Sequence, residues 1–345
     1  MNLNKAQIIT AALGIAIIFG VIFYSNKSPN SNEEIFSKVS SEISSYEFLR
    51  AKIDGSFTIK DAAMAKANDL PAGVYPKVDF SIDQVFPSNY YTSTSEDIKT
   101  TSNMKLSITN FAKDVDVISA DADLFTLKRT LFYVRLNELT GVPIDLSSMK
   151  GRWWKLDLET LAKNFGGAEA DELLASIKAG PTYKGHFSEI NSIVKKYRNL
   201  TRIEKLSDGE IEGDPAYHFT VDLDKTELAN MLVEVLAVAQ ETSEIEEEYE
   251  DVKNGLKIGM LEMVNIKSLE VFIQKRNYLP AQVKFSLEAL DEKGVSVGEV
   301  ELSVIVSGSK SVEIKAPAES TDILYLMGSL MSSLSGGSNL LKPQY

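Results

Sequence analysis

The chain has 345 residues, 44% hydrophobic and 25% charged, with 49 acidic against 36 basic side chains and a formal net charge of −13. This composition is globular and long enough for a sizeable core, and its acidity argues against a nucleic-acid surface, which needs a basic patch to displace counterions from phosphates. The absence of cysteine excludes disulfides, thiolate metal sites, cysteine nucleophiles and a lipid-modified N-terminal cysteine.

Ile8 to Tyr24 (IITAALGIAIIFGVIFY) carries no charge and one aliphatic hydroxyl, Thr10. As a helix this run covers ~26 Å, and the flanking Ala6, Gln7 and Ser25 complete a span of the bilayer core. A cleaved signal peptide is the competing reading. The run exceeds the usual ~7–15-residue apolar region of such peptides, and the bulky Ile22, Phe23 and Tyr24 stand where a small-residue cleavage site is needed. Residues 1–25 are therefore read as a single N-terminal transmembrane helix. Lys5 precedes it, and short basic tails stay in the cytoplasm, so the rest of the chain is expected outside the cell membrane. Every acidic residue lies from Glu33 onward, which makes the body an acidic one that anionic headgroups repel.

Residues 26–32 form a polar linker. Residues 33–49 place Ile35, Phe36, Val39, Ile43, Tyr46 and Leu49 at helical spacing, with Asn32 as the cap. Period-two alternation then dominates. It is found in Val78, Phe80, Ile82; Met104, Leu106, Ile108; Trp154, Leu156, Leu158; and Tyr217, Phe219, Val221, Leu223. It returns in Leu269, Val271, Ile273; Val283, Phe285, Leu287; and Val300, Leu302, Val304, Val306. Strands apolar on one side belong to antiparallel sheets with a wet face. Asp208-Gly209 and Lys293-Gly294 read as hairpin turns, and Leu279-Pro280 separates two strands. Helices are predicted over 168–179, over 186–197, from Asp224 with Glu227 as a capping box, through the acidic run 244–251, and over 321–334. Residues 33–335 are read as one domain, with 336–345 as a flexible tail.

The strand Gly151-Arg152-Trp153-Trp154-Lys155-Leu156-Asp157, the later Gly213-Asp214-Pro215-Ala216-Tyr217-His218-Phe219-Thr220-Val221-Asp222-Leu223-Asp224 leading into a helix, Val271-Phe272-Ile273 before Leu279-Pro280, and Ile314-Lys315-Ala316-Pro317 together resemble LolA-like bacterial lipoproteins of the LppX/LprG type. The resemblance covers roughly residues 35–320 in element order. It implies an α+β fold, a strongly curved antiparallel sheet forming an open half-barrel, with helices over its concave face and an apolar cavity that carries acyl chains or lipoprotein lipid. Candidate cavity-lining residues are Phe80, Leu106, Trp154, Leu156, Phe219, Val221, Val271 and Phe285. Those lipoproteins carry a lipobox cysteine. This chain has an apolar N-terminal run in its place, which suits local handling of a ligand better than a diffusing shuttle.

Motifs for catalysis are missing from the sequence. His186 and His218 are the only histidines, too far apart for a zinc pair, and each reads as surface or structural. No nucleophile elbow, Walker A or dinucleotide fingerprint is present. Asp114, Asp116, Asp121 and Asp123 invite a calcium reading, but counted from Asp114 the sixth place is Ser119 and the twelfth Phe125, where an EF-hand needs Gly and Glu. Neither cofactor nor metal is expected. Trp153 and Trp154 must face opposite sides of their strand, and Tyr90-Tyr91 reads as a loop contact. Asn26 and Asn199 open acceptor sequences for glycosylation. Two functions stay open: a membrane-tethered, non-catalytic protein holding a lipid or other hydrophobic ligand, and a packed envelope scaffold that binds protein partners.

Overall fold

The structure is a computed structural model that describes residues 33–325 apart from 61–64, 67–68, 90–97, 113–114, 143–148, 166–167, 180–188, 190–191, 194–195, 198–199, 241–263, 292 and 310–314. In chain order come α1 (Glu33–Ser45), β1 (Phe48–Ile59), β2 (Lys77–Pro87), β3 (Thr100–Ala112), β4 (Val115–Lys128), β5 (Leu131–Thr140) and β6 (Trp153–Asp157). Then follow α2 (Leu158–Phe165), α3 (Ala168–Ala179), β7 (Thr201–Lys205), β8 (Gly209–Ile211), β9 (Asp214–Leu223), α4 (Lys225–Gln240), β10 (Val264–Gln274), β11 (Ala281–Leu290), β12 (Ser296–Ser309) and β13 (Thr321–Asp322).

All these strands belong to one 13-stranded sheet, ordered β13-β6-β5-β4-β3-β2-β1-β12-β11-β10-β9-β7, with β8 also on β9. Two antiparallel meanders meet at the seam between β1 and β12, where Ile53 lies opposite Val304. The short β13 is parallel to β6. Among the described residues, the two ends of this order do not pair with each other, so the sheet is open.

Residues directly opposite on neighbouring strands share a face, and the register builds continuous apolar rows. One runs from Ile53 through Ile82, Met104, Ala122 and Leu136 on one side. On the other side it continues through Val304, Val283, Val271 and Phe219. The next row is centred on Gly55, with Phe80 and Leu106 to one side and Leu302 and Phe285 to the other.

Helix α1 lays Phe36 and Val39 into this face, with the Phe36 and Phe219 ring centroids 5.2 Å apart, and α4 adds Leu228 and Met231. The helix α4 starts as its capping residue predicts: Asp224 Oδ1 accepts from the amides of Thr226 at 2.9 Å and Glu227 at 3.0 Å. Both helices pack on strands β9–β12. The expected helical roof is therefore met in part, because the described helical cover stops near the seam.

Several local expectations are corrected. The first helix ends at Ser45, and Phe48 and Leu49 already belong to β1, where Leu49, Ala51, Ile53 and Phe57 alternate around a glycine. Leu158 is not strand: Asp157 Oδ1 accepts from the amides of Glu159 at 3.1 Å and Thr160 at 3.2 Å, and this cap turns the chain into α2. Asp208-Gly209 joins two short strands that both pair with β9. The tight turn comes later, at Glu212-Gly213, both at positive φ. Thr321-Asp322 is an edge strand, and the helix expected from residue 321 begins at Ile323, where Asp322 Oδ1 accepts from the amide of Leu324 at 2.9 Å; residues 326–334 lie outside the described residues. The Lys293-Gly294 hairpin is present, with Asp291 Oδ1 accepting from the amides of Lys293 and Val295. The proposed anchor, the acidic run 244–251, Tyr90-Tyr91, His186, Asn26, Asn199 and the tail lie outside the described residues. Among the described residues no helix is long and apolar enough to cross a membrane.

Candidate functional site

The two faces of the sheet present different chemistry, and each changes along the strand order. On the apolar face the same register rows pass from closed to open. Phe219 and Val271 are 0% exposed, whereas Met104 and Leu106, on the same rows, are 37% and 40% exposed. Between them Phe80 and Ile82 are half-buried, as are Ala120, Ala122, Leu136 and Leu139 beyond. The β9–β12 half is thus a packed core and the β2–β5 half an apolar surface in partial contact with solvent. Phe80 sits at the border. It packs against the main core, its ring lying over Gly55 beside Leu302.

The eight residues singled out from the sequence fall in three places. Phe219, Val221, Val271 and Phe285 join one buried cluster, and Phe80 packs against its edge. Leu106 stands on the open half of that face. Trp154 is buried beside the sheet edge, its indole Nε1 donating to the Met149 carbonyl at 3.3 Å, and Leu156 is half-buried two residues on.

The opposite face was not singled out from the sequence. Its middle forms a trough of about 800 Å³ that touches strands β10, β11, β12 and β1 to β5. Residues on both sides of each central apolar position line it, such as Asp54 and Ser56 around Gly55, or Lys105 and Ser107 around Leu106. That alternation places the trough on the polar face, with backbone as its floor. This trough lies on the wet side of the sheet, apart from the apolar cavity that the resemblance implies. The sequence signal was present in the polar partners of the alternation, such as Ser81 beside Phe80 and Ser286 beside Phe285.

Asp121, which lines the trough, and Asp123 beside it project from β4 between two strands that hold them. Asn103 Nδ2 donates to Asp121 at 3.0 Å and to Asp123 at 2.9 Å, and Asn137 Nδ2 donates to both at 2.9 and 3.0 Å. Arg135 Nε donates to Asp123 at 3.0 Å while its guanidinium covers the Trp153 ring. Hydrogen bonds from Asn137 and then Asn103 hold the Asp121 carboxyl below its ordinary range. Burial opposes ionisation of Asp123, but donors from Asn103, Arg135 and Asn137 outweigh it and its pKa is also lowered. These carboxylates are satisfied by nitrogen donors, and among the described residues no group of three potential metal ligands occurs. His218 is likewise engaged, stacked on Phe272 at 4.2 Å with Nε2 at 3.3 Å from Glu270.

No family model matches the sequence, and no curated protein matches it. Solved structures do. Lipoprotein LppX of Mycobacterium tuberculosis is 9% identical over 82% of this chain and 97% of that chain, with a TM-score of 0.29. The MucA/MucB complex of Pseudomonas aeruginosa is matched at 11% identity over 83% of this chain, with a TM-score of 0.21; the match spans 60% of that chain's length. A putative outer membrane lipoprotein-sorting protein domain from Vibrio parahaemolyticus is 9% identical over 81% of this chain and 93% of that chain, with a TM-score of 0.20. The names of these matches include LppX and a lipoprotein-sorting domain, the group that the sequence resembles.

Proposed function

We propose that this chain is a non-catalytic binding protein, held to the outer side of a cell membrane by residues 8–24, that shelters an acyl chain or another hydrophobic ligand on the open half of its apolar face. One observation carries the reading: the rows that are fully buried in β9–β12 continue, still apolar, into half-exposed positions at Met104 and Leu106. Contiguous apolar surface of this kind is costly in water, and covering it with hydrocarbon recovers ~25 cal/mol for each Å² removed from solvent. The packed-scaffold alternative fits the β9–β12 half, where the core is closed, and leaves the β2–β5 half unexplained. The acidic body and polar linker support a domain that stands off the bilayer and exchanges ligand near it.

A photoactivatable palmitate carrying a diazirine, added to membranes that contain the full chain, tests this. Crosslinks are expected on peptides of β2–β5 that include Met104 and Leu106. Labelling confined to residues 8–24, as bulk bilayer contact alone produces, contradicts the proposal.

A further inference from the structure

We propose that the trough on the polar face is a second binding site, separate from the apolar surface, and that it takes a neutral, extended oligosaccharide. Its volume, about 800 Å³, lies within the ~300–1,000 Å³ usual for ligand sites. It crosses eight strands, so at ~4.8 Å per strand it runs roughly 34 Å along the sheet, which suits a long ligand.

The lining is rich in hydroxyls. Ser56, Ser107, Ser119, Ser268 and Ser286 lie along one register row, and Ser81 and Ser303 along the next. Ser119 is paired with Thr140, and Ser303 accepts from Gln282. The hydroxyls of Ser56, Ser81, Ser107, Ser268 and Ser286 have no protein partner among the described residues. Each can both donate and accept, as sugar hydroxyls do.

The charges narrow the ligand further. Lys77 is committed to Asp79 at 2.8 Å, Lys105 lies 3.6 Å from Asp121, and the Lys284 ammonium sits over the Phe272 ring at 4.7 Å. A phosphate or sulfate would meet lysines already occupied, and beside them Asp54, Glu138 and Glu301. A divalent cation would need converging carboxylates, and among the described residues no group of three potential metal ligands occurs. The polar-row residues that line the trough are serines, lysines, aspartates and glutamates, and an acyl chain laid along them would strip water from these groups without replacing its hydrogen bonds. A neutral polyhydroxylated chain satisfies the free serines and accepts hydrogen bonds from lysines and donates them to carboxylates without charge transfer.

The test uses the full chain in lipid nanodiscs, titrated calorimetrically and by saturation-transfer NMR with cellohexaose, chitohexaose and maltohexaose. At least one is expected to bind, and Ser107→Val and Ser286→Val, on separate strands, each to weaken it tenfold or more with the melting temperature kept. Lys293→Ala, at a distant hairpin tip, is expected to bind as the parent does. The proposal is overturned if none of the three sugars binds, if both serine variants bind like the parent, or if inorganic phosphate or spermine occupies the trough in their place. These outcomes leave the palmitate crosslinking result untouched, since the two sites lie on opposite faces.

Discussion

The Phe80 ring lies across Gly55, in the space that a side chain at position 55 would fill, with Leu302 on the far side of the same gap. This contact sits where the closed and open halves of the apolar face meet. Gly55→Val is expected to displace the Phe80 ring and cost ~1–3 kcal/mol, as overpacking does. Gly141→Ala makes a sharper case: its φ is +76 and an added Cβ would run into the backbone carbonyl of Val117, which cannot swing aside as a ring can. Urea unfolding of both variants should rank Gly141→Ala as at least as costly; the reverse order would mean that the β4–β5 backbone is not packed as described.

The difference between the halves predicts a difference in truncation costs. Phe219→Ala removes a side chain that is 0% exposed and is expected to cost ~3–5 kcal/mol. Leu106→Ala, on the open half, should stay within ~0.5 kcal/mol in protein stripped of ligand. Comparable losses at the two positions would show that both halves are equally closed.

A carboxylate at the other end of the polar face predicts a pH effect. Glu299 accepts from Lys60 at 2.8 Å and from Lys267 at 2.9 Å, which lowers its pKa from 4.5 to about 2. The folded value lies below the unfolded one, so its stabilisation is complete above pH 4.5 and is lost as the pH falls from there through about 2. The side chain is 37% exposed, so screening holds the effect under ~1 kcal/mol and salt weakens it. Glu299→Gln should flatten the stability profile across that window and leave the slope near neutrality unchanged.

The aspartate pair on β4 should not bind calcium. Asp121 and Asp123 are already held by Asn103, Asn137 and Arg135, and a cation would have to displace those donors. Thermal melts with millimolar calcium chloride should match melts at equal ionic strength in sodium chloride. Asp123→Ala, which strands the Arg135 guanidinium and two amides, is expected to cost ~1–3 kcal/mol.

Much of this architecture was legible because alternation is a local signal. Phe80, Leu106, Val271, Phe285 and Val304 announce strands with one buried face, and the register puts them on one face. Other strands were hidden for physical reasons. In β1, Gly55 breaks the apolar series because the opposite Phe80 fills its place. In β4, Ala120 and Ala122 supply the apolar side and the aspartates draw attention to the other. Leu158 continues the alternation of Trp154 and Leu156, but the cap at Asp157 overrides it. The position of the trough was not legible, since it depends on how neighbouring strands are registered rather than on any one segment. The serines of the trough are ordinary wet-face residues until the register lines them up.

The most direct test of the central claim is native mass spectrometry, with parallel organic extraction, of the full chain released from nanodiscs made of a single defined lipid. A stoichiometric apolar adduct retained from the expression host is expected, lost in Leu106→Glu while the fold persists. A ligand-free parent protein, or an adduct that Leu106→Glu retains at full occupancy, would contradict it.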